Sequence, residues 1–400
     1  MTMLIEQLKT PSVAASPVEV VERKGRGHPD TICDHLSEEF SRALSRHYLK
    51  QYGRVLHHNV DKSLLVAGRS EPAFGGGRIL EPMDIYLAGR ATLEHQGGVV
   101  PAETLARECV EAWIKTNLHA VNVARNVRVH CLVRPGSNDL GDLFQRQSRP
   151  QAVLANDTSC GAGFAPLTEL ERVVLEVEGS LNCATFKAAN PGTGEDIKVM
   201  GVRKRDGIRL TISCAFVDRY LSNLRAYEEA RDRLAAAALE AAQKCTQMPV
   251  AVRVNAADNL TRGSVYLTVS GTSAEAGDDG QTGRGNRTNG LITPFRPMTL
   301  EAPAGKNPVA HVGKLYNATA SRLAAALVAE VPGIIEVECH LVSEIGCPID
   351  EPKLALIRVR SAEAGLEEET SRSIRAVAER EIGAIPRLWE EFVAGRLAVA

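Results

Sequence analysis

Residues 18–53, VEVVERKGRGHPDTICDHLSEEFSRALSRHYLKQYG, decide the fold class of this chain. The valine-rich run at 18–22 predicts a short strand. Apolar residues then recur at every fourth position, which predicts a helix that ends near Gly53. These residues are Ile32, Leu36, Phe40 and Leu44. A strand that leads through a tight turn into an amphipathic helix is a building unit of α/β and α+β proteins.

The remainder of the chain repeats this alternation of strands and helices. Alternating apolar residues predict further strands at 63–68, 84–91, 127–133, 208–214, 265–269, 334–343 and 354–360. Helical spacing predicts helices around 105–114, at 224–245, at 315–331 and in a final region to Leu397. We therefore expect an α/β (α+β) fold with a mixed sheet. Residues 17–400 are expected to form one intertwined unit behind a short polar tail at 1–16.

Composition excludes several classes of protein. The chain has 400 residues, 44% hydrophobic and 24% charged, which is typical of a globular protein and not of a disordered one. The formal net charge of −2 provides no cationic field that would favour nucleic acid. No long uncharged apolar run or signal peptide occurs, and the nine cysteines form no CxxC pair. We expect a cytoplasmic protein with reduced thiols that binds neither nucleic acid nor a membrane.

The turn GRGHPD at 25–30 is the first candidate for chemistry. Its two glycines allow a ligand to approach the backbone closely, and the helix that follows offers free N–H groups to an anion. Asp30 is a candidate metal ligand, and His28 is a candidate donor to a phosphate. The alternative is an ordinary strand-to-helix turn, in which Asp30 caps the helix and His28 packs inside.

The stretch GDDGQTGRGNR at 277–287 is the second candidate. Adjacent carboxylates at Asp278 and Asp279 are hard oxygen donors that suit Mg²⁺. Glycines and arginines beside them suit a phosphate chain, because guanidinium makes paired bonds to phosphate oxygens. No P-loop sequence GxxxxGK[ST] occurs in the chain. A solvated hairpin loop is the alternative, but such a loop rarely needs this density of charge.

Two further stretches and a lone lysine complete the candidates. GKNP at 305–308, followed by His311 and Lys314, offers a phosphate-binding lysine before a helix, or only a capped loop. NDTSCGAGF at 156–164 has small residues that permit close approach, and its Asp157 suits an ammonium group or an adenine amine. Lys198 follows GEDI, where a lysine is usually on the surface. Carboxylates, basic residues and glycine loops together indicate a polyphosphate site of an uncommon type.

Seven motifs follow one another along the chain. They are, in order, GHPD (27–30), HHNVDK (57–62), GRATLE (89–94), NDTSCGAGFAP (156–166), GEDIKVMG (194–201), GDDGQTGRGNR (277–287) and GKNPVAHVGKLYN (305–317). This ordered set resembles the archaeal type of S-adenosylmethionine synthetase (methionine adenosyltransferase), and the resemblance covers the chain from about Val18 to the C-terminus.

This resemblance implies a fold, a reaction and partners. The implied fold has three intertwined α/β subdomains with pseudo-threefold symmetry and mixed sheets packed at a dimer interface. The implied reaction is attack of the methionine sulfur on C5′ of ATP, followed by cleavage of the released triphosphate to pyrophosphate and phosphate. Mg²⁺ and K⁺ are the implied cofactors. The active sites are expected between the subunits of a homodimer, and a tetramer is left open by the sequence.

The resemblance also implies residue roles. The implied catalytic residues are His28, Lys198, Arg284 and Lys306. The implied metal ligands are Asp30 and Asp278, with Asp61 near the monovalent cation. The implied nucleotide and substrate contacts are the loop residues Gly136, Ser137, Asn138 and Asp139 together with Asn156, Asp157, Asp279, His311 and Lys314.

The chain departs from the family pattern at a few positions. Gly285 stands where the common bacterial and eukaryotic branch has a lysine after the arginine, and we expect Arg287 to compensate for it. Ala310 precedes His311 where the archaeal type usually has asparagine, and Arg134-Pro135 stiffen the start of the loop at 136–139. Two alternatives stay open: a metal-dependent triphosphatase without methionine binding, and a non-catalytic nucleotide-binding subunit.

Overall fold

The computed structural model describes residues 1–136, 153–362 and 365–399. Helices and strands alternate along this part of the chain, as expected. The strands are β1 Thr2–Gln7, β2 Glu19–Lys24, β3 His58–Asn59, β4 Leu64–Val66, β5 Arg69–Glu71, β6 Arg78–Glu81, β7 Met83–Ala91, β8 Glu94–His95, β9 Gly98–Val99, β10 Val127–Arg134, β11 Cys160–Ala165, β12 Thr193–Lys204, β13 Gly207–Val217, β14 Val250–Val254, β15 Leu267–Thr268, β16 Gly280–Gln281, β17 Ile334–Val342 and β18 Leu354–Ser361. The helices are α1 Pro29–Tyr52, α2 Ala102–Asn117, α3 Val123–Asn126, α4 Glu169–Leu181, α5 Ala184–Ala189, α6 Leu224–Gln243, α7 Val312–Glu330, α8 Glu368–Gly383 and α9 Leu388–Ala394.

Within the described residues, the longer strands form three mixed sheets. The first has the order β1-β18-β17-β11, the second β10-β7-β4-β16 with β3 beside β7, and the third β14-β13-β12-β2 with β15 beside β13. Each sheet contains a parallel pair, β1 with β18, β10 with β7 or β13 with β14, next to antiparallel pairs. The mixed α/β fold class predicted from the sequence is therefore confirmed.

Each of these sheets buries one face under helices. Helices α7 and α8 contribute to the core of the first sheet, α1 and α2 to that of the second, and α4 and α6 to that of the third. Each core consists of aliphatic and aromatic side chains withdrawn from water, and this burial is the main stabilising term of the fold. None of the described helices is both long enough and apolar enough to cross a bilayer.

Features of the sequence explain where helix α1 begins and ends and which face it buries. The side chain of His28 caps its first turn, and Pro29 occupies the first helical position, where no N–H partner is required. Gly53 ends the helix in the left-handed conformation at φ 70°. The predicted apolar face is fully buried against the second sheet. The opposite, polar face of the same helix is turned toward the loop at 277–287 and carries much of the candidate site.

Several segments differ from the prediction: the sequence analysis gave no strand at β11, β12 or β14 and no helix at α4. The expected polar tail contains β1, which pairs in parallel with β18, and its Met3 and Ile5 pack against the first core. This strand was missed because its partner lies near the other end of the chain. The strand expected at 265–269 is reduced to Leu267–Thr268, because only two residues there pair with β13.

His119 links the end of α2 to the third sheet. Its Nδ1 lies 2.5 Å from Oε1 of Glu195, and its Nε2 lies 3.0 Å from the carbonyl oxygen of Pro191. Both ring nitrogens therefore face acceptors, which favours the protonated ring. The hydrogen bond to Glu195 is the main cause of a raised His119 pKa in the folded state.

We expect this link to make stability depend on pH. A raised folded-state pKa contributes stability that is fully present below the ordinary histidine pKa and is lost as the pH rises through the folded value. When the pH is raised from roughly 6 to roughly 8.5, the thermal midpoint of the wild type should therefore fall by more degrees than that of His119→Ala. Parallel thermal-denaturation curves at both pH values would contradict this role for His119.

Candidate active site

The loop 277–287 lies directly against the GRGHPD turn. The backbone N–H of Gln281 donates to Oδ1 of Asp30 at 2.9 Å, and the ammonium of Lys24 donates to Oδ2 of Asp30 at 2.7 Å. The same ammonium also donates to the carbonyl of Arg284 at 2.9 Å. Asp30 and Lys24 thus hold two sequence-distant glycine-rich segments together. The sequence predicted both segments as candidates but gave no sign that they touch.

His28 is held as a neutral ring with a defined tautomer. Its Nδ1 accepts the N–H of Asp30 at 3.2 Å, so the proton of the neutral ring is on Nε2. Burial lowers the pKa of His28 to about 4, helped by the positive charges of Lys24 and Lys198. The ring is therefore neutral at physiological pH, and its Nε2–H is available as a hydrogen-bond donor to an anion.

Two acidic side chains flank this imidazole. Oδ2 of Asp278 lies 3.9 Å from Nε2 and Oδ2 of Asp30 lies 4.0 Å from Nδ1. The Asp278 side chain is 59% exposed, whereas Asp30 is buried. Asp279 has a different task, since its Oδ1 accepts the N–H of Ala67 at 2.7 Å and ties the loop to the second sheet.

A second buried carboxylate lies beneath Asp278. Asp196 accepts the N–H and the hydroxyl of Ser273 at 2.9 and 2.6 Å, and Ser273 in turn accepts the N–H of Asp278 at its carbonyl oxygen. Burial raises the pKa of Asp196 to about 6 in spite of these bonds, and the charge of Asp278 adds to the rise. The ammonium of Lys198 is 3.0 Å from Glu22.

A cavity of about 890 Å³ opens beside this cluster. It is large enough for a nucleotide or a similar ligand. Residues from several of the predicted motifs line it together. They are Asp61, Lys62, Thr158, Cys160, Thr282, Arg284 and Lys306, and Glu301, outside the predicted motifs, lies beside them.

The GKNP stretch reaches the cavity through a close backbone contact. Gly305 has φ 76°, and a Cβ at this position would lie 2.5 Å from the carbonyl oxygen of Val60 and 2.9 Å from Cα of Asp61. Only glycine allows this approach, which places Asp61 and Lys306 on one wall. The Lys306 ammonium is paired with Glu301, while Asp61 is paired with Lys62 at 2.7 Å.

The residues after GKNP lie deeper. His311 caps α7, its Nδ1 accepts the N–H of Gly313 at 3.2 Å, and burial lowers its pKa well below the usual value. Lys314 is fully buried, and its ammonium lies 2.8 and 2.6 Å from the two carboxylate oxygens of Glu38. Glu38 also accepts the N–H of Gly305 at 3.1 Å. Lys314 therefore neutralises the acid that anchors the GKNP loop.

The NDTSCGAGF stretch contributes to another part of the cavity wall. The N–H of Asn156 donates to the carbonyl of Ala310 at 3.2 Å, and the carbonyl of Asp157 accepts the hydroxyl of Ser343 at 2.8 Å. The first bond brings the stretch next to the residues that follow GKNP, and the second ties it to the end of β17. A Cβ at Gly136 would lie 3.1 Å from the ring of His57. Ser137, Asn138 and Asp139 lie outside the described residues.

The candidate metal ligands do not form one cluster. Among residues 1–136, 153–362 and 365–399, no cluster of three or more histidine, cysteine, aspartate or glutamate side chains could hold a metal ion. Asp61 therefore does not join Asp30 and Asp278 in one cluster. A pair of carboxylates still fits Mg²⁺, which usually keeps several waters and binds through one or two carboxylates and substrate phosphates.

Several site residues were missed by the sequence analysis. Lys24, Asp34, Glu38 and Asp196 sit inside regular strands or helices, where a single charged residue usually faces solvent. One signal was present: Asp30, Asp34 and Glu38 recur every four residues, so they lie on one face of α1. Because Asp30 was already a candidate metal ligand, two further acids on the same helix face indicate that this face makes a buried, polar contact.

Comparisons of the sequence and of the fold with known proteins identify one family. The sequence profile of the family described as S-adenosylmethionine synthetase (AdoMet synthetase) matches residues 1–396. A probable S-adenosylmethionine synthase of Aquifex aeolicus is 51% identical over 385 residues, 96% of this chain and 95% of that protein. An S-adenosylmethionine synthase of Methanothermobacter thermautotrophicus is 43% identical over 397 residues, 99% and 98% of the two chains. A solved structure, described as an unusual S-adenosylmethionine synthetase from Campylobacter jejuni, superposes with a TM-score of 0.63 at 14% identity and covers 95% of this chain and 94% of its own.

Proposed function

This chain belongs to the S-adenosylmethionine synthetase family, and on that premise we propose how its residues make S-adenosylmethionine from ATP and L-methionine. The methionine sulfur attacks C5′ of ATP, the triphosphate leaves, and the triphosphate is then cut to pyrophosphate and phosphate. One observation carries the assignment of the site. The loop 277–287 is bonded to the GRGHPD turn beside a cavity that Arg284 and Lys306 line together.

The main task of the site is to stabilise the leaving group. A thioether is a weak, neutral nucleophile, so catalysis depends on holding it in line with C5′ and on binding the charge that develops on the triphosphate. We assign the polyphosphate to Arg284, Lys306 and Lys198. Neutral His28 donates its Nε2–H to an oxygen near the breaking bond, a role that its lowered pKa supports. Preset donors of this kind need no reorganisation when charge develops.

We propose Asp30 and Asp278 as the carboxylates for Mg²⁺ and Asp61 for K⁺. A divalent ion bound there would neutralise charge on the triphosphate oxygens. The exposed side chain of Asp278 supports this role. Asp30 already holds Lys24 and Gln281, so its carboxylate is oriented before any ligand arrives. The Asp61–Lys306 wall supports a cation and polyphosphate region on the GKNP side.

We assign the methionine side to the NDTSCGAGF stretch. In this proposal Asp157 holds the substrate ammonium and Asn156 supports it, because Thr158, Ser159 and Cys160 of the same stretch line the cavity. Gly136, Ser137, Asn138 and Asp139 form the nucleotide-binding loop in this proposal. Asp279, His311 and Lys314 are bonded to protein groups, so we assign them to positioning the loops rather than to direct substrate contact.

We also propose that the active unit is a homodimer with each sheet and its helices forming one of three subdomains. The open face of the second sheet supports this proposal. Leu64, Val66 and Leu132 are 42%, 38% and 49% exposed there, and exposed apolar side chains on a sheet face can pack against a second subunit. Analytical ultracentrifugation distinguishes a monomer, a dimer and a tetramer, and a monomer at catalytic concentration would contradict the proposal.

A product assay tests the function. Purified protein is incubated with ATP, Mg²⁺ and K⁺, with and without L-methionine, and the products are identified by mass spectrometry. We expect S-adenosylmethionine, pyrophosphate and phosphate only when methionine is present. Cleavage of ATP or triphosphate without methionine would favour the triphosphatase alternative, and no turnover would favour a regulatory subunit.

A further inference from the structure

The backbone around Arg284 is bonded on every side. The N–H of Arg284 donates to the carbonyl of Gln281 at 3.3 Å, and its own carbonyl accepts the ammonium of Lys24. The guanidinium of Arg287 donates to the carbonyls of Gly283 and Gly285 at 2.6 and 2.9 Å. The peptide groups on both sides of Arg284 are therefore fixed, and so is the direction in which its side chain leaves the loop.

Asp34 holds the same loop from the opposite direction. Asp34 lies on α1 and is only 2% exposed. Its Oδ1 accepts the N–H of Gly283 at 2.7 Å. Its Oδ2 is buried without a hydrogen-bond partner among the described residues. Burial raises the pKa of Asp34 to about 7. Burying an oxygen without a hydrogen-bond partner costs free energy of folding. Packing alone would therefore favour an apolar residue at position 34.

Gly285 makes the contact with Asp34 possible. A Cβ at Gly285 would lie 2.4 Å from Oδ2 of Asp34, far inside any real contact. The φ of Gly285 is not in the left-handed region, so its backbone accepts other residues. The carboxylate of Asp34 is thus the direct reason for glycine at this position.

One face of α1 supports the rest of the loop. Ser37 Oγ lies 2.8 Å from Oγ1 of Thr282, and Thr282 directly precedes Gly283, to which Asp34 is bonded. Asp30 binds Gln281 from the first turn of the same helix. Side chains on a rigid helix hold a site more closely than side chains on a loop.

We propose that Asp34 and Arg287 are positioning residues that together form a clamp on Gly283 and Gly285 and thereby aim Arg284 at the polyphosphate. The clamp rests on the proposed function of Arg284. It also changes the expected role of Arg287: its guanidinium is half-buried and bonded to loop carbonyls, including that of Thr299 at 3.3 Å, and so is not a second outward cation. The positive charge of Arg287 faces Asp34 across the loop.

Asp34→Ala tests the clamp. A misplacement of about 1 Å costs roughly 100-fold in rate, so we expect kcat for S-adenosylmethionine formation to fall by about 100-fold, with KM for methionine unchanged. Asp34→Asn keeps an acceptor for Gly283 and should restore kcat to within about tenfold of the wild type.

Glu19→Gln is the matched control. Glu19 is a buried carboxylate on β2 that binds Thr168 at 2.6 Å and Arg203 at 3.0 Å, away from the loop. We expect this variant to lower the thermal midpoint without changing kcat. An equal loss of kcat in Glu19→Gln and Asp34→Ala would overturn the clamp, because the loss would then reflect general destabilisation.

A double-mutant cycle gives the sharper result. Gly285→Ala should lower kcat strongly when Asp34 is present. It should lower kcat only weakly in the Asp34→Ala background, because Oδ2 of Asp34, which obstructs the new Cβ, is gone. Additive effects would overturn the clamp, as would wild-type kcat in Asp34→Ala. If Asp34→Ala does not fold, Arg287→Met decides the clamp: it removes the donors to the carbonyls of Gly283 and Gly285 and should lower kcat with KM for methionine unchanged, whereas wild-type kcat in a folded Arg287→Met would overturn the clamp.

Failure of the clamp and failure of the proposed function give different results. If the function is wrong, the wild type itself makes no S-adenosylmethionine. If only the clamp is wrong, the wild type is active, and the variants keep its kcat, lose it equally with Glu19→Gln, or show additive effects.

Discussion

Asp278→Asn is expected to lower kcat for S-adenosylmethionine formation by about 10²–10³-fold while the protein stays folded. The neutral amide keeps the size of the side chain but loses the charge that we assign to Mg²⁺. Because the side chain is 59% exposed and lies only within 3.9 Å of His28, beyond hydrogen-bond distance, the thermal midpoint should not change. His28→Ala should cause a loss of similar size, since it removes the Nε2–H donor beside Asp278.

The control for this prediction is Asp206→Asn. Asp206 is also an exposed carboxylate, 72% exposed and 3.8 Å from Arg209 in a surface turn, so the same chemical change there should leave kcat unchanged. The rates are measured from the mass of S-adenosylmethionine formed, and folding is checked by circular dichroism. Near-normal rates in both Asp278→Asn and His28→Ala would show that the site lies elsewhere.

Lys314→Met is expected to cost about 3–5 kcal/mol in free energy of unfolding, the largest stability effect of any change considered. The substitution keeps most of the side-chain volume but leaves Glu38 buried without its cation. The loss should also loosen the GKNP loop, because Glu38 accepts the N–H of Gly305. Urea denaturation followed by fluorescence and by circular dichroism measures the change.

Two comparisons complete this test. Lys115→Met removes an exposed pair, 3.4 Å from Glu111, and should cost about 0.5 kcal/mol or less. The double variant Lys314→Met with Glu38→Leu should recover part of the loss, since no unpaired charge remains. A Lys314→Met protein as stable as the wild type would restore the direct substrate role that the resemblance implied.

The regular elements could be predicted because their patterns are local. Apolar residues at every fourth position predicted α1, and alternation predicted a long strand in each sheet, such as β7, β13 and β17, although β12, the longest of the described strands, was missed. Strand β1 could not be predicted, because Leu4 pairs with Leu356 and such a partner leaves no mark on the local sequence. The short strand β15 shows the opposite error. Apolar residues alternate over 265–269, but only Leu267 and Thr268 pair with β13.

The candidate site was predictable in its parts but not in its assembly. Glycine-rich, charged stretches identified the loops that carry His28, Asp278, Arg284 and Lys306. That Gln281 donates to Asp30, or that Lys24 bridges Asp30 and Arg284, depends on tertiary contacts. Single buried acids such as Asp34 and Asp196 were missed, because burial of a charged side chain inside a helix or strand is uncommon.

The fate of the 5′ oxygen of ATP tests the central claim most directly. ATP labelled with oxygen-18 at the 5′ bridging position is converted with methionine, and the products are separated and weighed by mass spectrometry. Attack of sulfur on C5′ breaks the carbon–oxygen bond, so we predict that all of the label appears in pyrophosphate or phosphate. Label that stays on adenosine, AMP or ADP would show cleavage at phosphorus and would contradict the reaction assigned to this site.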